Sequence, residues 1–238
     1  MIWSHPSVLA RVLALSFLSI FAAAGFAQTD KPSSDAPPVY KPPVRGAPAS
    51  RVGGGSRSVG TEIARVYVLA PPDIGFTTKG KPDLFWFVSE ATGAKVYLTV
   101  YTDDPNKPLL EQALPAVSSP GVQRVRLSDY GLELQQRVEY RWRISLVSDS
   151  ENRQARAIAG GAIQRTNAWP KLQTRLQGQD AIARAHVYAE EGLWYDALEM
   201  MAESAEENRS DPRIRQQRAA LLEQVGLTEA SQFEAANK

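Results

Sequence analysis

The 238-residue chain has no cysteine and only two histidines, His5 and His186. Without cysteine there is no thiolate nucleophile, no cysteine metal ligand and no disulfide, so packing alone must hold the fold. Two histidines, one of them close to the N-terminus, cannot build a multi-histidine zinc centre. Charge of one sign is also lacking, because 27 Lys and Arg face 26 Asp and Glu. That balance supplies no general field for nucleic acid, and no nucleic-acid partner is expected. No apolar run reaches the roughly 20 residues of a membrane-spanning helix.

The apolar run that does exist is Val12 to Ala24, preceded by Arg11 and followed by Gly25-Phe26-Ala27. A positive charge, an apolar stretch and small residues at the cleavage positions make the layout of a secretory signal over residues 1–27. The expectation is an exported bacterial protein, periplasmic or otherwise, with no integral span after the signal is removed. Removal takes only Arg11 among the charges and leaves 26 basic and 26 acidic residues. A lipid anchor is not expected, because no cysteine is present to carry one.

Residues 28–62 read as a disordered tether. Pro37-Pro38, Pro42-Pro43 and Pro48 favour extended conformations, and large apolar residues are few. Within it, Arg45, Arg51 and Arg57 stand among glycines, including Gly53-Gly54-Gly55. Arginines bind carboxylate or phosphate bidentately and glycines expose backbone N–H groups, so this block is a candidate partner-binding segment. A solvated linker is the plainer alternative.

Residues 63–168 carry short alternating runs separated by turn chemistry. Strands are expected over Arg65–Leu69, Leu84–Val88, Lys95–Tyr101, Val122–Leu127 and Val138–Leu146, with a last one inside Arg156–Arg165. Val138, Tyr140, Trp142, Ile144 and Leu146 alternate with Glu139, Arg141, Arg143 and Ser145, which predicts one buried face and one wetter face. Pro71-Pro72, Thr92-Gly93, Asp104-Pro105-Asn106 and Ser119-Pro120-Gly121 mark turns. The pattern predicts an antiparallel β-sandwich. Leu134 followed by Tyr140 and Trp142 is similar to the tyrosine corner of immunoglobulin-like domains. Arg124, Arg126, Arg141 and Arg143 would form a basic stripe if their strands shared a sheet, and are candidate partner-binding residues. Tyr97 and Tyr101 form a candidate aromatic strip. The Asp103-Asp104 loop lacks the ligand spacing of a calcium site, and no metal or other cofactor is expected.

Residues 169–238 change to a helical period. Asp180–Glu191 and Leu193–Glu207 are expected helices broken at Gly192, and a third runs from Asp211-Pro212 toward Val225 and stops at Gly226. Tyr188, Gly192, Trp194, Ala197, Leu198, Ala205 and Pro212 resemble the pattern of a single tetratricopeptide repeat. A lone repeat must pack on something else, and the β domain is the nearest surface. The fold class expected is therefore β-rich α+β, an immunoglobulin-like antiparallel β-sandwich followed by a C-terminal helical hairpin and a third helix. Tyr140, Trp142, Gly192, Trp194, Ala197 and Leu198 are read as structural.

Over roughly Tyr40 to Val225 the chain also resembles the bacterial envelope family called domain of unknown function 928. The residues that carry this are the Arg/Gly block, Pro71-Pro72, Gly75 with Thr77, Pro82 to Phe87, Tyr140-x-Trp142, Ala159 to Ile163, and Gly192 to Leu198. The resemblance implies an order of segments and a compartment, and it assigns no catalytic residues. His186 with Glu190, one helical turn apart, is the best acid–base pair the sequence offers, and no serine or aspartate motif points to it. The expected function is non-enzymatic binding of another envelope component, as an adaptor or accessory subunit. The alternative is a periplasmic module that binds glycan or a small molecule.

Overall fold

The structure, a computed structural model, describes residues 36–43, 64–147, 155–208 and 211–236. Its strands are β1 (Val66–Val68), β2 (Gly75–Thr77), β3 (Asp83–Val88), β4 (Lys95–Tyr101), β5 (Leu110–Leu114), β6 (Gly121–Arg126), β7 (Glu139–Val147) and β8 (Ala155–Arg165). Its helices are α1 (Pro170–Leu176), α2 (Ala181–Glu190), α3 (Trp194–Glu207), α4 (Pro212–Glu223) and α5 (Thr228–Ala236). The architecture is mixed α+β. One sheet has the order β1-β3-β6 and the other the order β2-β8-β7-β4-β5.

Alternation decides which side of each strand is buried. On β7, Tyr140, Trp142, Ile144 and Leu146 are buried, and across the ladder Val96, Leu98 and Val100 of β4 are buried with them. This face packs toward β1, which lies against both β7 and β8. The expected alternation fails at Val138, which is 36% exposed. Arg137 turns with φ 63°, so the strand begins only at Glu139. The sheets are not purely antiparallel either: β2 runs parallel to β8, with Gly75 opposite Ile163 and Thr77 opposite Arg165. Strands β2 and β5 were not legible, because Gly75-Phe76-Thr77 is too short to show a period and β5 is an edge with alternate residues exposed.

Every residue of β3 is buried. Leu84, Trp86 and Val88 share the face of Val66 and Val68, and Asp83, Phe85 and Phe87 share the other. Helices cover that second face. Phe233 of α5 packs edge-on against Phe87 at 5.3 Å between ring centroids, and Glu206 of α3 reaches Arg124 of β6. The three-stranded sheet is thus a middle layer between the larger sheet and the helices, which is why its central strand is apolar on both sides.

Sheets and helices share one hydrophobic core, so the change of period at residues 168–169 is not a break in packing. Among the described residues no helix is long and apolar enough to cross a membrane. Among the described residues the α-helices number five rather than three. Residues 1–27 lie outside the described residues.

The expectation of a disordered tether is corrected for residues 36–43. Pro38 and Tyr40 are buried, and Tyr40 packs edge-on against Trp194 at 4.9 Å between centroids. One aromatic ring and three backbone hydrogen bonds offset the ordering entropy that a count of apolar residues had left unopposed.

Candidate functional site on the outer face of the larger sheet

Helix α3 fixes the architecture around which any site is built. Asp180 caps α2 by accepting from Ala183 N at 2.8 Å. Gly192 turns with φ +75°, a conformation that side chains disfavour, and α3 starts two residues on. From Gly192 to Met201 every residue is buried. Trp194 Nε1 donates to Leu69 O at 2.8 Å. Tyr195 Oη donates to Ala162 O at 3.0 Å and accepts from Trp142 Nε1 at 2.9 Å. Ala197 and Leu198 are fully buried. The Tyr195 ring needs a strand without a side chain beside it: a Cβ on Gly75 would lie 2.5 Å from Tyr195 Cε2. Tyr140 Oη accepts from the Gln135 N–H at 3.0 Å.

Ionisable groups line the same junction. Asp196 accepts from Thr78 N at 3.0 Å and from Thr78 Oγ1 at 2.6 Å. Burial pushes its carboxyl up, and the threonine bonds offset part of that push. Lys79 pairs with Glu199 at 2.7 Å; burial alone would lower the lysine, and Glu199 together with Asp196 and Glu203 outweighs it, so its pKa is raised. Asp83 pairs with Arg124, which also reaches Glu206 at 2.9 Å. Asp83 is raised by burial and by the nearby charge of Glu199, with Arg124 opposing. Cations or hydroxyls meet these carboxylates, and the set ties α3 to β3 and β6. Its chemistry is cohesion.

The four sheet arginines do not form one stripe. Arg124 and Arg126 sit on β6 in the smaller sheet, whose outer face the helices cover, and Arg124 is consumed by Asp83 and Glu206. Arg141 and Arg143 sit on β7 in the larger sheet. Arg45, Arg51 and Arg57 lie outside the described residues. His186 is buried against Gln217 Oε1 at 2.9 Å, and Glu190 pairs with Arg175, so that helix pair is engaged structurally.

What the fold does bring together is Arg141 and Arg143 with the tyrosines of β4. The register sets Tyr101 opposite Arg141 and Thr99 opposite Arg143. The Arg143 guanidinium lies 5.8 Å from the centroid of the Tyr101 ring, a cation–π distance. No carboxylate among the described residues pairs with Arg143, and its Nε is buried without a hydrogen-bond partner among them. Arg141 pairs with Glu139 at 3.1 Å. Beside them a cleft of about 430 Å³ is lined by Tyr101, Thr102, Asp103, Pro105, Glu139 and Arg141. Asp104 instead holds its own turn, accepting from Asn106 N at 2.9 Å. Among the described residues no group of three or more His, Asp and Glu is placed to hold a metal.

The profile of the family described as Domain of Unknown Function (DUF928) matches residues 52–234. The chain belongs to this family. No curated protein matches it. The DUF928 match spans both sheets, the α3 junction and the Arg143 face, so the site is built from family residues.

Within this DUF928 chain, sequence reasoning missed Tyr195, Asp196 and Thr78. The signal available was the unbroken run Gly192 to Leu198: a helix with no exposed side in that stretch must be enclosed all round. Tyr40 and Gln224 left no comparable signal, because their contact joins positions 184 residues apart.

Proposed function

We propose that this protein is an exported, non-enzymatic component of the bacterial envelope that binds another envelope protein as an adaptor or accessory subunit. The observation that carries the reading is the Tyr101–Arg143 pair on the outer sheet face. A half-buried guanidinium stacked on an aromatic ring, without a carboxylate among the described residues, suits an acidic segment of a partner. Arg141 extends the same surface, and Arg45, Arg51 and Arg57 add positive charge in the stretch before β1. Arg124 drops to a supporting role, since Asp83 and Glu206 engage it, while Arg126 at the end of β6 is exposed and stays a candidate.

Export is supported by Arg11, the Val12–Ala24 run and Ala27. An immunoglobulin-like reading of the sheets is supported by the Tyr140–Gln135 bond, and a tetratricopeptide-like reading of α2 and α3 by the turn at Gly192 between them and the burial of Trp194, Ala197 and Leu198. The engagement of His186 and Glu190 in structural bonds supports a non-enzymatic role.

The test is crosslinking in cells followed by affinity purification from the envelope fraction, comparing the native chain with Arg141→Ala/Arg143→Ala. A partner captured by the native chain and lost by the variant supports the adaptor. Equal capture by both refutes the siting.

The cleft beside Tyr101 favours a second reading, a glycan-binding module. Its aromatic ring can stack on a sugar while Asp103 and Glu139 accept from hydroxyls. Retention on an envelope-glycan array that disappears with Tyr101→Ala is the expected sign of this alternative.

A further inference from the structure

Residues 36–43 lie on the helices as a bound peptide lies on a receptor. They form no regular secondary structure, yet Pro38 and Tyr40 are buried while Val39 between them is 52% exposed. That alternation is an extended chain with one side down. A single side chain grips the backbone: Gln224 Nε2 donates to Pro38 O at 2.7 Å, and Gln224 Oε1 accepts from Tyr40 N at 2.9 Å. Lys41 N donates to Ala189 O at 3.1 Å, a carbonyl at the end of α2 that also accepts from Gly192 N at 3.0 Å. Tyr40 inserts its ring against Trp194. Gly192 leaves room for the backbone, since a Cβ there would lie 2.8 Å from Lys41 O and 2.9 Å from Pro43 Cδ.

We infer that the groove formed by Trp194, Gly192, Ala189 and Gln224 is a recognition site for an extended, proline-flanked tyrosine peptide, which this chain's own residues 36–43 occupy in cis. The contacts read a tyrosine ring and bare backbone, and the prolines on either side stiffen the chain before it docks. None of these contacts requires the peptide to be covalently attached. The groove also continues past the segment. A cavity of about 360 Å³ opens at Pro37 beside Arg213, Gln216 and Gln217, and one of about 120 Å³ opens at Pro43 beside Phe76, Trp169 and Leu193. A partner carrying proline-flanked tyrosine displaces the cis segment and takes its place. The groove involves none of the residues of the sheet-face site, so either assignment can fail without the other.

A labelled peptide of sequence Ala-Pro-Pro-Val-Tyr-Lys-Pro-Pro, titrated into the full mature chain by fluorescence anisotropy, tests the inference. The tethered segment competes at an effective concentration on the order of millimolar, so the native chain takes the peptide at least tenfold more weakly than Tyr40→Ala does. Adding Gln224→Ala to Tyr40→Ala removes at least tenfold of that binding. A folded Tyr40→Ala that ignores the peptide overturns the inference, as does binding indifferent to Gln224. Hydrogen exchange on the native chain needs no variant: millimolar peptide speeds exchange at the Tyr40 and Lys41 amides. Unchanged exchange at both amides overturns the inference equally.

Discussion

The indole of Trp142 donates to the hydroxyl of Tyr195 at 2.9 Å, and that hydroxyl donates to the carbonyl of Ala162 at 3.0 Å. One phenol on α3 thereby joins β7 and β8 inside a junction that excludes water. Tyr195→Phe keeps the ring and leaves two buried polar groups with one partner fewer. The expected loss is about 1–3 kcal/mol in chemical denaturation, the range for an orphaned buried group. A midpoint equal to the native one would show that the relay adds nothing.

Gly75→Ala tests the same junction from the strand side. Its Cβ would fall 2.5 Å from Tyr195 Cε2 and 3.1 Å from Pro71 Cδ. The ring is held by two hydrogen bonds and cannot swing aside, so overpacking of about 1–3 kcal/mol is expected. Combined with Tyr195→Ala, the penalty of Gly75→Ala should shrink, because the clashing ring is gone. Strict additivity in that double-mutant cycle would count against the contact.

The buried carboxyl of Asp196 sets a pH dependence whose sign can be worked out. Burial raises its folded pKa above the unfolded value near 3.8. The folded state therefore holds the proton more tightly, and the group's contribution is fully present below the unfolded pKa. It is lost as pH rises through the folded pKa. Asp196→Asn has no such titration. The stability of the native chain relative to Asp196→Asn should fall from about pH 4 toward neutrality. Parallel stability profiles for the two proteins across that window would contradict the assignment.

Arg124 offers an internal comparison between its two carboxylate partners. Asp83 has a side chain 6% exposed, and Glu206 one that is 56% exposed. Removing Asp83 leaves a mostly enclosed guanidinium short of its closer partner, and a loss of about 3 kcal/mol is expected for Asp83→Ala. Glu206→Ala should change stability by less than about 1 kcal/mol, since water screens that pair. Urea titration of both variants checks the order, and equal losses would refute the distinction.

Legibility followed the reach of the interactions. The alternation of β7 is local, and it set Tyr140, Trp142, Ile144 and Leu146 on one face, which is the buried one. The cap at Asp211 was legible for the same reason. The sheet assignment of Arg124 and Arg143 was not, because strand order depends on pairings between segments far apart in sequence. Lys95–Tyr101 and Val138–Leu146 showed which residues shared a face, and only the register revealed that Tyr101 meets Arg141. The docking of Tyr40 illustrates the limit most sharply. Composition spoke for disorder, and a single aromatic with one glutamine clamp decided otherwise.

Arg143 carries the last prediction, which separates function from folding. Its guanidinium lies over Tyr101, at the wetter face of a sheet whose other face is fully packed. A cation–π contact at such a site is worth about 0.5–1 kcal/mol. Arg143→Ala should therefore unfold within about 1 kcal/mol of the native chain while its capture of an acidic partner falls. Arg143→Lys keeps the charge but loses the planar fork that grips a carboxylate bidentately, so partial capture is expected. Raising salt should weaken capture by the native chain more than by Arg143→Ala, because only the former has that charge to screen. Capture that is identical in all three proteins and insensitive to salt would remove this face from consideration, and with it the role assigned to the Tyr101 platform.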